Sequence, residues 1–468
     1  MRSTFFGLET MRTSLQAQRL GLEVTAHNIS NANTPGYSRQ VMNLRASTPF
    51  PYPSANSFGT GQLGTGVEVI EVKRLRNQFV ESQIRKESQT LGYWQNKARN
   101  VWQIEMIINE PTETGLSASF QRYWEAWQRL AGEAEDQGHR APVAQRAAEL
   151  ASTFRQTRNQ LLSLRNDIDE TIAVQAQQIN GLANELAAVN KQIARVDLLG
   201  QSPNDLLDRR DQILREMSEI ANINVLEGRQ QTVTVQINGT SLVDFDTVNE
   251  IEIIKPKAEG EMTKLIWSKG KGPITFNNGS MKALYEMRDV VIVDSIDSLD
   301  SMAKALIDET NALHEIGYGL NNTTGRKFFD GTDAGTIKVM DYILQDPSNI
   351  AASTKLDAPG NGENALAIAD ILNKPILSGN SATLNSYFDG LVAKLGVIGQ
   401  ESERTIANQE ALVHHLNIEQ TQHAAVSMDE EMANMIKYQH AYSAAARMIS
   451  TIDEALETII TRMGIVGR

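Results

Sequence analysis

Near the carboxy end of this chain, apolar residues recur at alternating steps of three and four for longer than a single core helix requires. Met432, Met435, Tyr442, Ala446, Ile449, Ile452, Leu456, Ile459 and Met463 keep that rhythm, with Gln439 in one step and a stutter between Ile449 and Ile452. The spacing predicts one helix from Ser427 to Met463, opened by a capping box of Ser427 and Glu430. A lone helix of that length loses more backbone entropy than one apolar stripe returns, so it needs partners along its seam. The amino end offers one. Leu8, Met11, Leu15, Leu22 and Ile29 repeat the same steps, with Gln18 and Thr25 between them. Formal charge is about +2 over residues 1–40 and about −2 over 427–468, which favours one end beside the other.

Between the ends the period changes twice. Residues 49–66 are rich in Pro, Gly, Ser and Asn and predict a loop or extended hairpin, followed by a short alternating strand from Val67 to Val72. Helical spacing returns over 75–108 and 116–130, the latter carrying an aromatic stripe of Phe120, Tyr123, Trp124 and Trp127 that reads as core. One very long helix is expected from His139 to Leu199, and a shorter one after Ser202-Pro203-Asn204-Asp205, with Ser202 as its cap. From Ile223 to Phe276 the period is two, including a hairpin around Asn238-Gly239. Helices resume over 279–316, near 364–372, and from Ala382 to Gln422, this last one expected beside the His139 helix. The fold class is therefore mainly α with a small β subdomain: long antiparallel helices, and terminal helices forming a coiled-coil-like segment. Three units are expected: 1–66 with 427–468, 67–222 with 279–426, and 223–278.

Composition excludes several functions. A net charge of −13, with no basic run, argues against nucleic-acid binding, which draws on phosphate neutralisation. The chain has no cysteine, so thiol catalysis, thiolate metal sites and disulfides are absent together, as suits a protein that leaves the reducing cytoplasm without oxidative folding. No apolar run reaches membrane-spanning length, and the first residues lack a secretory h-region. Candidate chemistry fails residue by residue. His314-Glu315 opens a zincin-like string, but position 318 is Tyr. His414, His415 and His423 lack a third ligand at helical spacing, and the loop at Asp330-Gly331-Thr332-Asp333 lacks the later acidic ligands of a calcium site. The run from Asn204 to Asp211 reads as a helix turn laced with ion pairs. No catalytic residue, cofactor or metal site is expected.

One string is more specific than any helix stop needs. Leu15 to Tyr37, ending Asn28-Ile-Ser-Asn-Ala-Asn-Thr-Pro-Gly-Tyr37, resembles the amino-terminal signature of the bacterial flagellar axial proteins of rod, hook and hook-associated type. Ser38-Arg39-Gln40, the stretch Met428 to Tyr442, Ala446-Arg447 and Ile452-Asp453-Glu454 are similar to the hook-associated protein 1 family within it, as is the Asn204 to Asp211 run. The resemblance implies a non-catalytic structural protein of the flagellum at the hook-filament junction, exported through the flagellar type III channel without a cleavable signal. It further implies partners: hook protein below, the second hook-associated protein above, other copies of the chain, and an export chaperone on the carboxy-terminal helix. The expected assembly interface is Leu8, Met11, Leu15, Leu22, Ile29, Met432, Met435, Tyr442, Ile449, Ile452, Leu456, Ile459 and Met463. Two alternatives remain open at this point: another axial protein such as the hook protein, against which the long His139 helix counts, and an enzyme on a coiled-coil stalk. The short stretch from Gly317 to Asn380 implies that an outer domain common in this family is reduced or missing.

Overall fold

A computed structural model of the chain describes residues 5–50, 62–110, 112–113, 115–255 and 261–462. In chain order it contains α1 (Phe6–Ser30), β1 (Gln40–Ala46), β2 (Val67–Arg74), α2 (Gln78–Ile108), α3 (Leu116–Gly132), α4 (Gln137–Leu198) and α5 (Asn204–Ile220). The strands β3 (Ile223–Glu227), β4 (Val233–Ile237), β5 (Thr240–Asp244), β6 (Thr247–Val248), β7 (Ile251–Ile254) and β8 (Lys264–Trp267) follow. Then come α6 (Gly279–Glu286), α7 (Ile292–Ile316), β9 (Phe329–Asp330), β10 (Lys338–Val339), α8 (Asp341–Gln345), α9 (Glu363–Ala369), α10 (Leu384–Ala424) and α11 (Met428–Arg462).

The organising body is α4, 62 residues without a break, started by Asp136, whose side chain accepts the Gly138 amide. Its buried stripe, Leu161, Leu164, Ile168, Ile172, Ile179, Leu182, Leu186 and Ile193, is the one the three-four spacing picks out. α3 packs along the first part and lays its aromatic stripe into the core, with Phe120 edge-on to Phe154 and Trp127 against Phe328. α5 packs on the other end of α4. Ser202 does not cap α5. Pro203 holds the cap position with no side-chain bond, because the Asn204 amide already reaches the Ser202 carbonyl. Between α6 and α7 a π-helical turn (Met287–Val291) keeps the helix continuous and turns Arg288 inward onto Asp169 at 2.6 Å.

The small β part divides into a four-stranded antiparallel sheet, β3-β4-β5-β6, and a separate β7-β8 pair. At the predicted hairpin, Asn238 and Gly239 both have positive φ, +48° and +83°, as a type I′ turn demands. Asn190 of α4 pins this sheet by bonding the Val233 amide and carbonyl and the Phe245 carbonyl.

α10 departs from expectation. It runs antiparallel to α2, not beside α4: Gly399 faces Val101, Gln95 bonds Glu410, and Leu416 packs with Val80 and Ile84. The apolar stripe of α4 is already covered by α3, α5, α7 and the strands, so the free apolar edge of α2 takes α10. The stretch from 317 to 380 is short in regular structure but not loose. Phe328, Phe329, Ile337, Ile343 and Ile350 are all buried in the common core.

His314 belongs to that packing. Its Nδ1 donates to the Arg326 carbonyl at 2.6 Å and its Nε2 accepts the Ala351 amide at 3.0 Å, which fixes a neutral ring. Burial pushes its pKa down to about 4, although the Arg326 carbonyl pulls the other way. A depressed histidine contributes stability that is complete above its ordinary pKa and lost as pH falls toward the folded value. Unfolding free energy is therefore expected to drop by about 3 kcal/mol from this residue as pH falls from the ordinary range near 6.5 through 4. Denaturant titrations of the wild type and His314→Gln across that window check it; equal slopes would contradict it.

Candidate assembly interface

The two chain ends meet. Gly21 of α1 lies against the Tyr438 ring of α11, Gly7 lies against Ile452 Cδ1, and Asn28 donates to the Glu431 carboxylate at 3.1 Å. Each advance along α1 is matched by an equal retreat along α11, so the helices are antiparallel in one register. The α11 side of this seam runs Met435, Tyr438, Tyr442, Ala445, Ile449, Ile452, Leu456, an unbroken three-four alternation of buried or half-buried residues. The stutter expected between Ile449 and Ile452 is absent, because Tyr438 and Ala445 take the steps expected of Gln439 and Ala446. A sequence reading that favours aliphatic residues passes over a tyrosine whose ring lies flat on a glycine.

The α1 side is built of small and polar residues: Gly7, Thr10, Ser14, Ala17, Gly21 and Asn28. A Cβ at Gly21 would stand 3.0 Å from the Tyr438 ring, so close approach of the two helices requires the missing side chain. At about 100° per residue, Leu8, Met11, Leu15, Leu22 and Ile29 fall on one flank of this seam, all half-buried. The opposite flank meets the β1-β2 hairpin, where Gly66 approaches Thr10 and Thr13. On α11 the same rotation puts Met428, Met432 and Ile436 on the side shared with the Leu8 to Ile29 flank, and they are 44, 48 and 54% exposed. Ile459 is also exposed, and Met463 lies outside the described residues. The expected interface residues therefore divide. Met435, Tyr442, Ile449, Ile452 and Leu456 face α1 within the chain, whereas the half-buried Leu8, Met11, Leu15, Leu22 and Ile29 and the exposed Met432 lie on an apolar flank outside that seam.

The signature string between α1 and β1 makes the root of this pair. Asn28 is saturated: its Nδ2 donates to the Gln40 carbonyl and to Glu431, and its Oδ1 accepts the Gln40 amide and the Tyr37 hydroxyl. Gly36 takes φ +81°, a turn closed to side chains. Arg39 then forks onto Glu430 and Glu431, both at 2.7 Å, while its amide donates to the Ala424 carbonyl at the end of α10. Ser427 accepts the Glu430 amide at 3.5 Å, a long cap, because the Glu430 carboxylate is engaged by Arg39.

Beneath lies a buried ion network. Asp208 of α5 accepts the amide and hydroxyl of Ser38 and pairs with Arg74 at 2.8 Å and Arg76 at 3.3 Å. Asp211 pairs with Arg74 and Arg210, and Glu81 of α2 with Arg76 and Arg215. The acidic run of α5 thus serves residues far away in sequence more than its own helix turn. Burial works to raise the Asp211 carboxyl, but Arg210, Arg74 and Arg76 outweigh it and hold it below its ordinary value. Glu81 is held low the same way, against burial, by Arg215 and Arg76. These depressed carboxyls contribute stability that is present above the ordinary carboxylate range and lost as pH falls below it. Asp208→Ala leaves two buried arginines short of a partner and is expected to cost about 3–5 kcal/mol. Chemical denaturation measures that, and hydrogen exchange at the Ser38 amide, normally bonded to Asp208, should accelerate with it; an unchanged midpoint and an unchanged Ser38 rate would contradict the network's role.

Comparison with known proteins places this geometry. The family described as flagellar hook-associated protein FlgK helical domain matches residues 101–329, the flagella basal body rod protein family matches 8–37, and the basal body rod FlgEFG C-terminal family matches 422–462. Flagellar hook-associated protein 1 of Bacillus subtilis is 32% identical over the full length of both chains. The proteins of that name from Salmonella typhimurium and Escherichia coli are 24 and 22% identical, with 96% of this chain and 98% of each relative covered. A solved flagellar hook junction protein FlgK from Burkholderia pseudomallei shares the fold, with a TM-score of 0.63 at 14% identity over 74% of this chain and all of that one. The two outer family matches coincide with α1 and α11, and the central one with the long-helix body, so the chain belongs to the flagellar hook-associated protein 1 family.

Proposed function

We propose that the open apolar face of the α1-α11 pair is where this chain polymerises into the junction between hook and filament. The chain is a structural protein of the bacterial flagellum, as its family membership establishes. The observation that supports the interface is the division of labour on α1: small residues face α11 within the chain, and the larger Leu8, Met11, Leu15, Leu22 and Ile29 are left half-buried on a flank, with the exposed Met428, Met432 and Ile436 beside its Leu22 and Ile29 end. An apolar strip of this kind, larger than singly scattered residues, marks an interaction site. Other copies of the chain cover it, with hook protein on one side of the junction and the second hook-associated protein on the other.

Before incorporation the same helices are recognised by the export machinery, with a chaperone on α11, and the chain leaves through the type III channel. Ordering and burial are completed together as each copy joins. No catalytic step enters. The chain works as a terminal unit of 1–66 with 427–468, a long-helix unit of 67–222 with 279–426, and a β unit of 223–278; β2 pairs with β1 across the first boundary and ties the two. The alignment with the Salmonella relative spans 551 positions against 468 residues here, which supports an outer region reduced in this chain.

Leu15→Asp and Ile436→Asp place a charge on the open face without entering the intrachain seam. Each is expected to leave circular dichroism of the free chain unchanged and to lower incorporation into the junction at least about tenfold, since one desolvated charge costs more than 1.4 kcal/mol. Complementation of a strain lacking the protein, scored by filaments per cell, checks it. Wild-type incorporation by both variants would overturn the reading.

A further inference from the structure

All sulfur in this chain is methionine sulfur, 15 residues with no cysteine to intercept an oxidant. Among the described residues these thioethers span the range from buried to exposed. Met217, Met281, Met287 and Met302 are fully buried, whereas Met428, Met432 and Met448 on α11 and Met106 on α2 are 44, 48, 49 and 61% exposed. Met428 and Met432 are one helical turn apart on the open apolar face, and Met448 lies on the other flank of the same helix. From this placement we infer that Met428, Met432 and Met448 are oxidation sites for peroxides, and that oxidation of Met428 and Met432, on the open face, blocks assembly of the free chain. The inference rests on the assembly reading above.

The chemistry is two-electron oxygen transfer. A sulfur lone pair attacks one peroxide oxygen, the S–O bond forms as the O–O bond breaks, and the departing hydroxide takes up the proton to leave as water; sulfur is oxidised to the sulfoxide and the peroxide is reduced. A flexible apolar thioether becomes a rigid dipole with a strong acceptor. In the free chain that group stays in water and costs little. Packed against a neighbouring copy it is a buried acceptor without a donor. Incorporated copies are protected by the same burial, so the reaction discriminates unassembled chains from assembled ones. Met106, away from the terminal helices, is an internal control: it oxidises without consequence for assembly.

The full-length chain is treated with hydrogen peroxide, mapped by peptide mass, and tested for incorporation when added to hooks lacking it. Sulfoxide is expected at Met428, Met432, Met448 and Met106 at least about tenfold faster than at the four buried methionines, whose oxidation awaits local opening. Incorporation should fall about tenfold or more as the Met428 and Met432 sulfoxides accumulate. Methionine sulfoxide reductases should restore it. A variant with Met428→Leu and Met432→Leu keeps the apolar volume and should incorporate normally before and after peroxide, although Met448 and Met106 are still oxidised. Normal incorporation of wild-type chain carrying both the Met428 and the Met432 sulfoxide, or equal oxidation of buried and exposed methionines, would overturn the inference. If Met432→Asp also incorporated normally, the assembly face itself would be wrong; if only the sulfoxides were tolerated, the face would stand.

Discussion

The structure depends on a buried charge network at the root of its terminal helices. Arg74 and Arg76 leave the β hairpin and enter a space closed by α5 and α2, where Asp208, Asp211 and Glu81 are nearly without solvent. Ions taken out of water are tolerable only when each finds geometry and partners good enough to offset its lost hydration. Here that condition is met only if four segments arrive together: the 36–40 turn through Ser38, the hairpin through its arginines, α5 through its aspartates and α2 through Glu81. Because an apolar plug often stabilises as much as or more than a buried ion network, the network's distinctive contribution is the single arrangement of tail on body that its geometry admits. Arg39, forked onto Glu430 and Glu431, extends the same logic to the start of α11.

From that root the two terminal helices leave together, and their mutual packing sets what remains available. A glycine-and-alanine seam on α1 lets Tyr438 and Tyr442 approach closely, so each helix offers the other a narrow strip and keeps its bulkier side chains at the flank. A pair of larger seams would have closed the apolar surface within one molecule. This pair leaves part of it open. The remainder fits a protein whose ends must be held in place and still be incomplete, which is the requirement of a subunit that joins a filamentous organelle.

Much of this was legible in the residues. The periodicity of α4, the aromatic stripe of α3, the Asn238-Gly239 turn and the existence of both terminal helices follow from local pattern, because local pattern is what decides them. The pairing of α10 with α2 was not legible: both α2 and α4 carry apolar stripes, and only the three-dimensional occupancy of α4 excludes it. Strand β1 was also missed, since Gln40 to Ala46 alternates weakly and is held mainly by its partner β2 and by Asn28. The interface residues were identified as one set, although the structure divides them between an intrachain seam and an open face. Glycine and serine carry no hydrophobic signal, so a seam made of them is invisible to a search for apolar repeats. The asparagine of the signature stands in a string more specific than a helix stop needs, but its four hydrogen bonds across three segments are a tertiary fact.

The central claim is that the seam is closed in the single chain while the flank is closed only by neighbours. The absence of native cysteine makes a direct measurement available: single cysteines at Met432, Ile436 and Ala445, each labelled with a thiol reagent in the free chain and in assembled junctions. The account predicts rapid labelling of Met432→Cys and Ile436→Cys in the free chain, loss of that labelling on assembly, and protection of Ala445→Cys, whose parent residue is only 5% exposed, in both states. Labelling of Met432→Cys and Ile436→Cys that is equally fast before and after assembly, or already suppressed in the free chain, would contradict it.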